Sequence, residues 1–153
     1  MSWLTDLVSN PFLMTSISAW LVAQVLKVII HAIITKKLDL SRMFGDGGMP
    51  SAHSAVVSSL TIFCGLYYGL DSVYFAITVV LALIVFNDAM GVRRETGKQA
   101  VILNEMTRAF EELSKEDLPE VKLKEFVGHS PIQVFAGIII GVADAVIMYF
   151  LIV

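Results

Sequence analysis

FLMTSISAWLVAQVLKVIIHAIIT, residues Phe12 to Thr35, decides the fold. It is long enough to cross a bilayer, for which about 20 residues of apolar helix suffice. Yet Gln24, Lys27 and His31 interrupt it at i, i+3 and i+7, a spacing that places them on one helical face. A charge at mid-span is costly in hydrocarbon and needs a partner, so Lys27 marks a functional face that looks inward. The helix is therefore one member of a bundle.

Three further stretches are long and apolar enough to span: His53 to Leu70, Ser72 to Met90 and Ile132 to Val153. Only Gly69, Leu70, Asp71 and Ser72 separate the second span from the third, which predicts a tight antiparallel hairpin. Composition agrees. The chain of 153 residues is 56% hydrophobic, above the roughly 45–50% apolar content of soluble domains, so a single membrane domain over 1–153 is expected. Cys64 lies within an apolar run and reads as a buried, inert thiol. No basic region or small-residue cleavage site opens the chain, so a removable signal peptide is not expected.

The basic residues set the orientation. Apart from Lys27, they fall between spans one and two (Lys36, Lys37, Arg42) or between spans three and four (Arg93, Arg94, Lys98, Arg108, Lys115, Lys122, Lys124). With four spans both loops share a side, which the positive-inside rule makes cytoplasmic, leaving both termini on the opposite side of the cell membrane. The second loop, residues 91–130, contains KQAVILNEMTRAFEEL, whose apolar Val101, Ile102, Met106, Ala109, Phe110 and Leu113 recur at helical spacing. It predicts an amphipathic helix lying over the cytoplasmic ends of the bundle or at the membrane interface. SKEDLPEVKLKE beyond it reads as a solvated loop.

Chemistry concentrates at the mouths of two helices. GDGGMPSAHSAVV (Gly45–Val57) and GHSPIQV (Gly128–Val134) each put a His and a Ser just before or within the start of an apolar run. Ser130 is a good N-cap and Pro131 a good first helical residue; Ser51 can cap the other helix, with Gly47, Gly48 and Pro50 shaping its turn. Helix N-termini present unpaired N–H groups and a positive dipole end, which suits an anion. Both starts lie on the cytoplasmic side, so His53 and His129 can converge. NDAMGVRRETGKQA brings Arg93 and Arg94 to that side, and the guanidinium fork matches phosphate oxygens. No carboxylate set with metal spacing accompanies them, which favours metal-independent phosphate chemistry.

MPSAHSA, DAMGVRR with GKQAVILN, and GHSPIQV together resemble the signature blocks of the divergent PAP2 family, small membrane proteins related to type 2 phosphatidic acid phosphatases and vanadium haloperoxidases. The resemblance runs from about Gln24 to Gly141. It implies that His129 is the nucleophile forming a phosphohistidine, that His53 protonates the leaving group, and that Arg93 or Arg94 binds phosphate. Lys27 and Arg42 best fit the first phosphate-binding motif, with Lys36 or Lys37 as substitutes. Ser51 joins the phosphate site, and Asp88, Gln99 and Gln133 support it. Three departures stand out: Ala52 replaces Gly, 34 residues separate Arg94 from His129, and Gln133 replaces the Asp that orients the nucleophile.

The implied protein is an all-α multi-pass membrane bundle with about four transmembrane helices and a PAP2-like core. Its implied activity is phosphatase action on a lipid phosphate or prenyl diphosphate at the cytoplasmic face. Neither cofactor nor metal is expected, nor a nucleic-acid partner. The small number of spans suggests a homodimer that covers an exposed flank. The competing expectation is a non-catalytic membrane protein that binds anionic headgroups or a protein partner with a degenerate site. Asp88 is expected to pair with Arg93 or Lys27, and Asp144 with Lys27 or across a helix contact.

Overall fold

The computed structural model describes residues 2–43, 48–114, 123 and 128–153, and all its regular elements are helices. They are α1 (Ser2–Val8), α2 (Pro11–Thr35), a 3-10 turn (Leu40–Met43), α3 (Ala52–Tyr68), α4 (Val73–Met90), α5 (Val92–Ser114) and α6 (Pro131–Ile152). The starts follow local chemistry. Asn10, Ser51, Ser72 and Ser130 each turn a side-chain oxygen onto the first free N–H groups of the helix they open, and Pro11 and Pro131 occupy positions whose N–H has no intrahelical partner anyway.

Pro11–Thr35, Val73–Glu111 (α4 running on into α5) and Pro131–Ile152 are long and apolar enough to cross a membrane. The fourth expected span, α3, is a helix of 17 residues and falls just short by length. Its position explains why a shorter, more polar helix suffices: α2, α4 and α6 all pack against it, so its surface meets protein on most sides. Buried Ser54, Ser58, Ser59 and Thr61 line it beside Ala55, Val57, Phe63 and Cys64.

The closest approach is between α3 and α6. Gly137, Gly141 and Ala145, one turn apart on α6, are all buried, the two glycines against α3. A Cβ on Gly137 would run into the Ser51 carbonyl and come within 2.9 Å of Ser54 Cβ; one on Gly141 would meet Ser58 Cβ, also at 2.9 Å. Apolar burial gives helices no reason to associate inside lipid, so small residues that admit dispersion contacts between backbones take over that function. Ala19 and Ala23 of α2 complete the layer against Ala52 and Ala55.

Polar groups lock the same register. Ser18 Oγ on α2 lies 2.8 Å from both carboxyl oxygens of Asp144 on α6, and Ser59 Oγ on α3 lies 3.2 Å from one of them. Asp144 thus joins three helices through hydroxyls. Lys27 sits about 13 Å further along α2 than Ser18 at 1.5 Å per residue, nearer the opposite end of the bundle. At the Asp144 end, Phe12, Phe63, Tyr67 and Tyr68 form a ring cluster, with Phe12 and Tyr68 stacked at 5.1 Å, in keeping with an aromatic belt at a membrane boundary.

Two features depart from the sequence expectation. The short helix α1 was not expected, and it exposes Trp3, Leu4 and Leu7. The amphipathic helix forms, starts earlier at Val92, and contacts α4 but no other helix of the bundle among the described residues. Among the described residues it does not pack over the other helix ends: it follows α4 through Gly91, whose φ −98 and ψ −96 turn the chain, and Ile102, Met106, Phe110 and Leu113 stay exposed.

Gly137→Ala or Gly141→Ala is expected to force α3 and α6 apart and to cost about 1–3 kcal/mol, as overpacking a tight contact does. Thermal unfolding in detergent should show a lowered midpoint for both, with Ile139→Ala, on the exposed face of α6, nearly unchanged.

Candidate functional site

Because α3 and α6 run parallel in close contact, their N-termini lie abreast. The backbone N–H of Ser51 donates to the Gln133 carbonyl at 3.0 Å, tying the two helix mouths together. Ser51 is fully buried and its hydroxyl is engaged as a cap, accepting from Ser54 N–H at 3.3 Å and from Ser54 Oγ at 2.9 Å. Its contribution is to shape the mouth.

The two imidazoles meet there, with ring centroids 6.4 Å apart and planes tilted by 55°. His53 is exposed on the first turn of α3; His129, just before α6, retains 6% of its surface. Three contacts hold His129. Its backbone N–H donates to the Ala89 carbonyl at 3.0 Å, anchoring it to the end of α4. The preceding Gly128 has φ +89 and sits so close to the α4–α5 corner that a Cβ would lie 2.7 Å from the Arg93 carbonyl carbon, so only glycine fits. Third, His129 Nδ1 faces Gln133 Oε1 at 3.3 Å.

That amide oxygen is itself oriented, because it accepts from Ser130 N–H at 2.9 Å in a capping box. With the oxygen turned to the imidazole, Nδ1 carries the proton, and Nε2 is left with a free lone pair. Gln133 therefore favours this tautomer without supplying a negative charge.

Two cations stand within electrostatic reach of His129. Lys27 is 5% exposed, deep on α2, and Gly48 lies against its stem, where a Cβ would meet Lys27 Cγ at 3.4 Å. Arg93 Nε donates to Asp88 Oδ2 at 2.6 Å, which ties the guanidinium to the end of α4. Burial pushes the His129 imidazole below its ordinary 6.5; its hydrogen bond to Gln133 opposes this, and the nearby charges of His53, Lys27 and Arg93 push it further down.

Lys27, His53, His129, Gln133 and Arg93 are thus brought to one place. Arg94 is exposed, with its backbone against Gly128, and Gln99 stands on an exposed face of α5. Arg42 belongs to the 3-10 turn, but its side chain lies outside the described residues, as do Lys115 and Lys122. Asn104 clamps backbone instead: its Nδ2 donates to the Leu123 carbonyl at 3.0 Å, and its Oδ1 accepts from Leu123 N–H at 3.1 Å. Gln24, one turn from Lys27 and 5% exposed, has an Oε1 with no hydrogen-bond partner among the described residues. It belongs to the polar stripe of α2 but was not counted with the site; burial was the signal the sequence could not carry. No group of three His, Cys, Asp or Glu side chains is arranged to hold a metal among the described residues.

The sequence model of the Divergent PAP2 family matches residues 8–144, and the chain belongs to that family. A curated relative, the uncharacterized membrane protein YuiD of Bacillus subtilis (strain 168), is 41% identical over 155 aligned residues, covering 95% of this chain and 98% of the relative. No solved structure matches the chain significantly. Family, relative and apolar helices together make this a membrane protein of PAP2 type.

The imidazole of His129 is expected to titrate below 6.5, read from its ring proton shifts in micelles, and Arg93→Gln should raise the midpoint. Because the native value lies below the unfolded one, the unfolded chain takes up the proton first as pH falls. The stability held by neutral His129 is therefore intact above 6.5 and declines as pH drops through that value toward the native midpoint.

Proposed function

We propose that the protein is an integral membrane phosphatase that hydrolyses a lipid phosphate or prenyl diphosphate at the cytoplasmic face through a phosphohistidine on His129. The observation that carries this is the pairing of a buried imidazole, with Nδ1 held by Gln133, and an exposed imidazole 6.4 Å away, beside two helix N-termini and two cations.

The chemistry follows from those positions. Neutral His129 attacks phosphorus through Nε2 while the bond from phosphorus to the leaving oxygen breaks, and protonated His53 gives that oxygen its proton. The resulting phosphoimidazolium keeps its Nδ1–H on Gln133 Oε1. Lys27, Arg93 and the N–H groups of the two helix mouths offset charge on the non-bridging oxygens. Water next attacks phosphorus, His53 takes its proton, the P–N bond breaks, and phosphate departs with His129 restored. Sidedness follows from the basic residues at the site end of the bundle.

His129→Ala is expected to abolish phosphate release from phosphatidate, phosphatidylglycerophosphate and prenyl diphosphates, and His53→Ala to slow it by about 10²–10⁴-fold, the usual worth of a general acid. Vanadate, which mimics the five-coordinate transition state, should inhibit. Full turnover by His129→Ala would sink the reading.

Gln133 favours a second reading, because an amide cannot stabilise an imidazolium as a carboxylate does. The protein would then hold anionic headgroups without turning them over, and purified chain would bind lipid phosphates while releasing no phosphate across the same panel. A homodimer belongs to either reading, with a two-chain mass expected for complexes released from native membranes; a monomer there would argue against it.

A further inference from the structure

An apolar groove opens beside the histidine site. The last turn of α4 contributes Phe86 and Met90, and the first two turns of α6 contribute Pro131, Ile132, Phe135 and Ile138. Its volume, about 480 Å³, falls within the range of small-molecule sites, and its walls are almost wholly apolar. It runs along about 10 Å of α6, from the first turn toward the membrane interior, at 1.5 Å per residue. Its head is tied to the site by covalent and hydrogen-bonded links: Pro131 lies two residues after His129, and Met90 follows Ala89, whose carbonyl accepts the His129 N–H.

We propose that this groove holds the hydrocarbon chain of a phosphorylated lipid whose headgroup sits at His129, so that substrate enters from the membrane between α4 and α6. The inference rests on the phosphate reading of the site. The polar and apolar parts occur in the order an anionic amphiphile requires: His129 and Arg93 stand two and three residues from the groove's Pro131 and Met90, and the lining beyond them is apolar. On the other side of the site α2, α3 and α6 meet closely through alanine and glycine contacts. Between α4 and α6 the helices touch little, and Ile132 and Phe135 remain exposed for a chain to cover.

The test uses the full chain in lipid nanodiscs. A hexadecyl phosphonate, which cannot be hydrolysed, carries a photoactivatable diazirine on its chain. Adducts are expected on α4 and α6, with yield reduced fivefold or more by Ile138→Trp or Phe135→Trp, each of which fills the groove. In parallel, either variant should lower by at least tenfold the ratio of kcat/KM for hexadecyl phosphate to that for 4-nitrophenyl phosphate. Adducts confined to α2 or α5, or a groove occupied by a second copy of the chain in copy-to-copy cross-links, would overturn the proposal. Adducts on α4 and α6 without turnover of either phosphate would uphold the groove and defeat the phosphatase reading. Turnover with adducts elsewhere would do the reverse.

Discussion

The rest of the structure depends on the contact between α3 and α6. Within lipid the hydrophobic effect does not drive one helix onto another, so association rests on close packing and on hydrogen bonds between helices. Gly137 and Gly141 remove the side chains that would hold the two backbones apart, and α3 answers with Ser54, Ala55, Ser58 and Ser59. The polarity of α3, odd for a helix in a membrane protein, follows from this arrangement. Its hydroxyls face protein, where Ser59 and Thr61 find partners on α2, α4 and α6.

The same contact creates the site. Two parallel helices packed backbone to backbone must present their N-termini together, so the unpaired N–H groups and positive dipole ends of both point at one space. Lys27 and Arg93 add formal charge, while Asp88 fixes the position of the arginine on α4. Burial first, and the nearby charges after it, push the His129 imidazole toward the neutral form, in which it has a lone pair to offer.

Much of this was legible from residue order, because hydropathy and capping are local. The apolar runs, the Ser51 and Ser130 helix starts and the inward stripe of α2 can all be read within a window of a few turns. The partner of Asp144 could not, since Ser18 and Ser59 lie 126 and 85 residues away and hydroxyls carry no distinguishing pattern. Nor could the path of α5: amphipathic spacing shows that a helix has an apolar face without saying what that face touches.

The sequence by itself determined the long apolar helices and that they belong in a membrane, since these depend on composition and on neighbours within one or two turns. Only the tertiary structure decided that Gly128 lets His129 reach the end of α4 and that His53 stands 6.4 Å away. Those are distances between segments that the chain separates, and they follow from the volume the glycines leave empty, a quantity that no periodicity records.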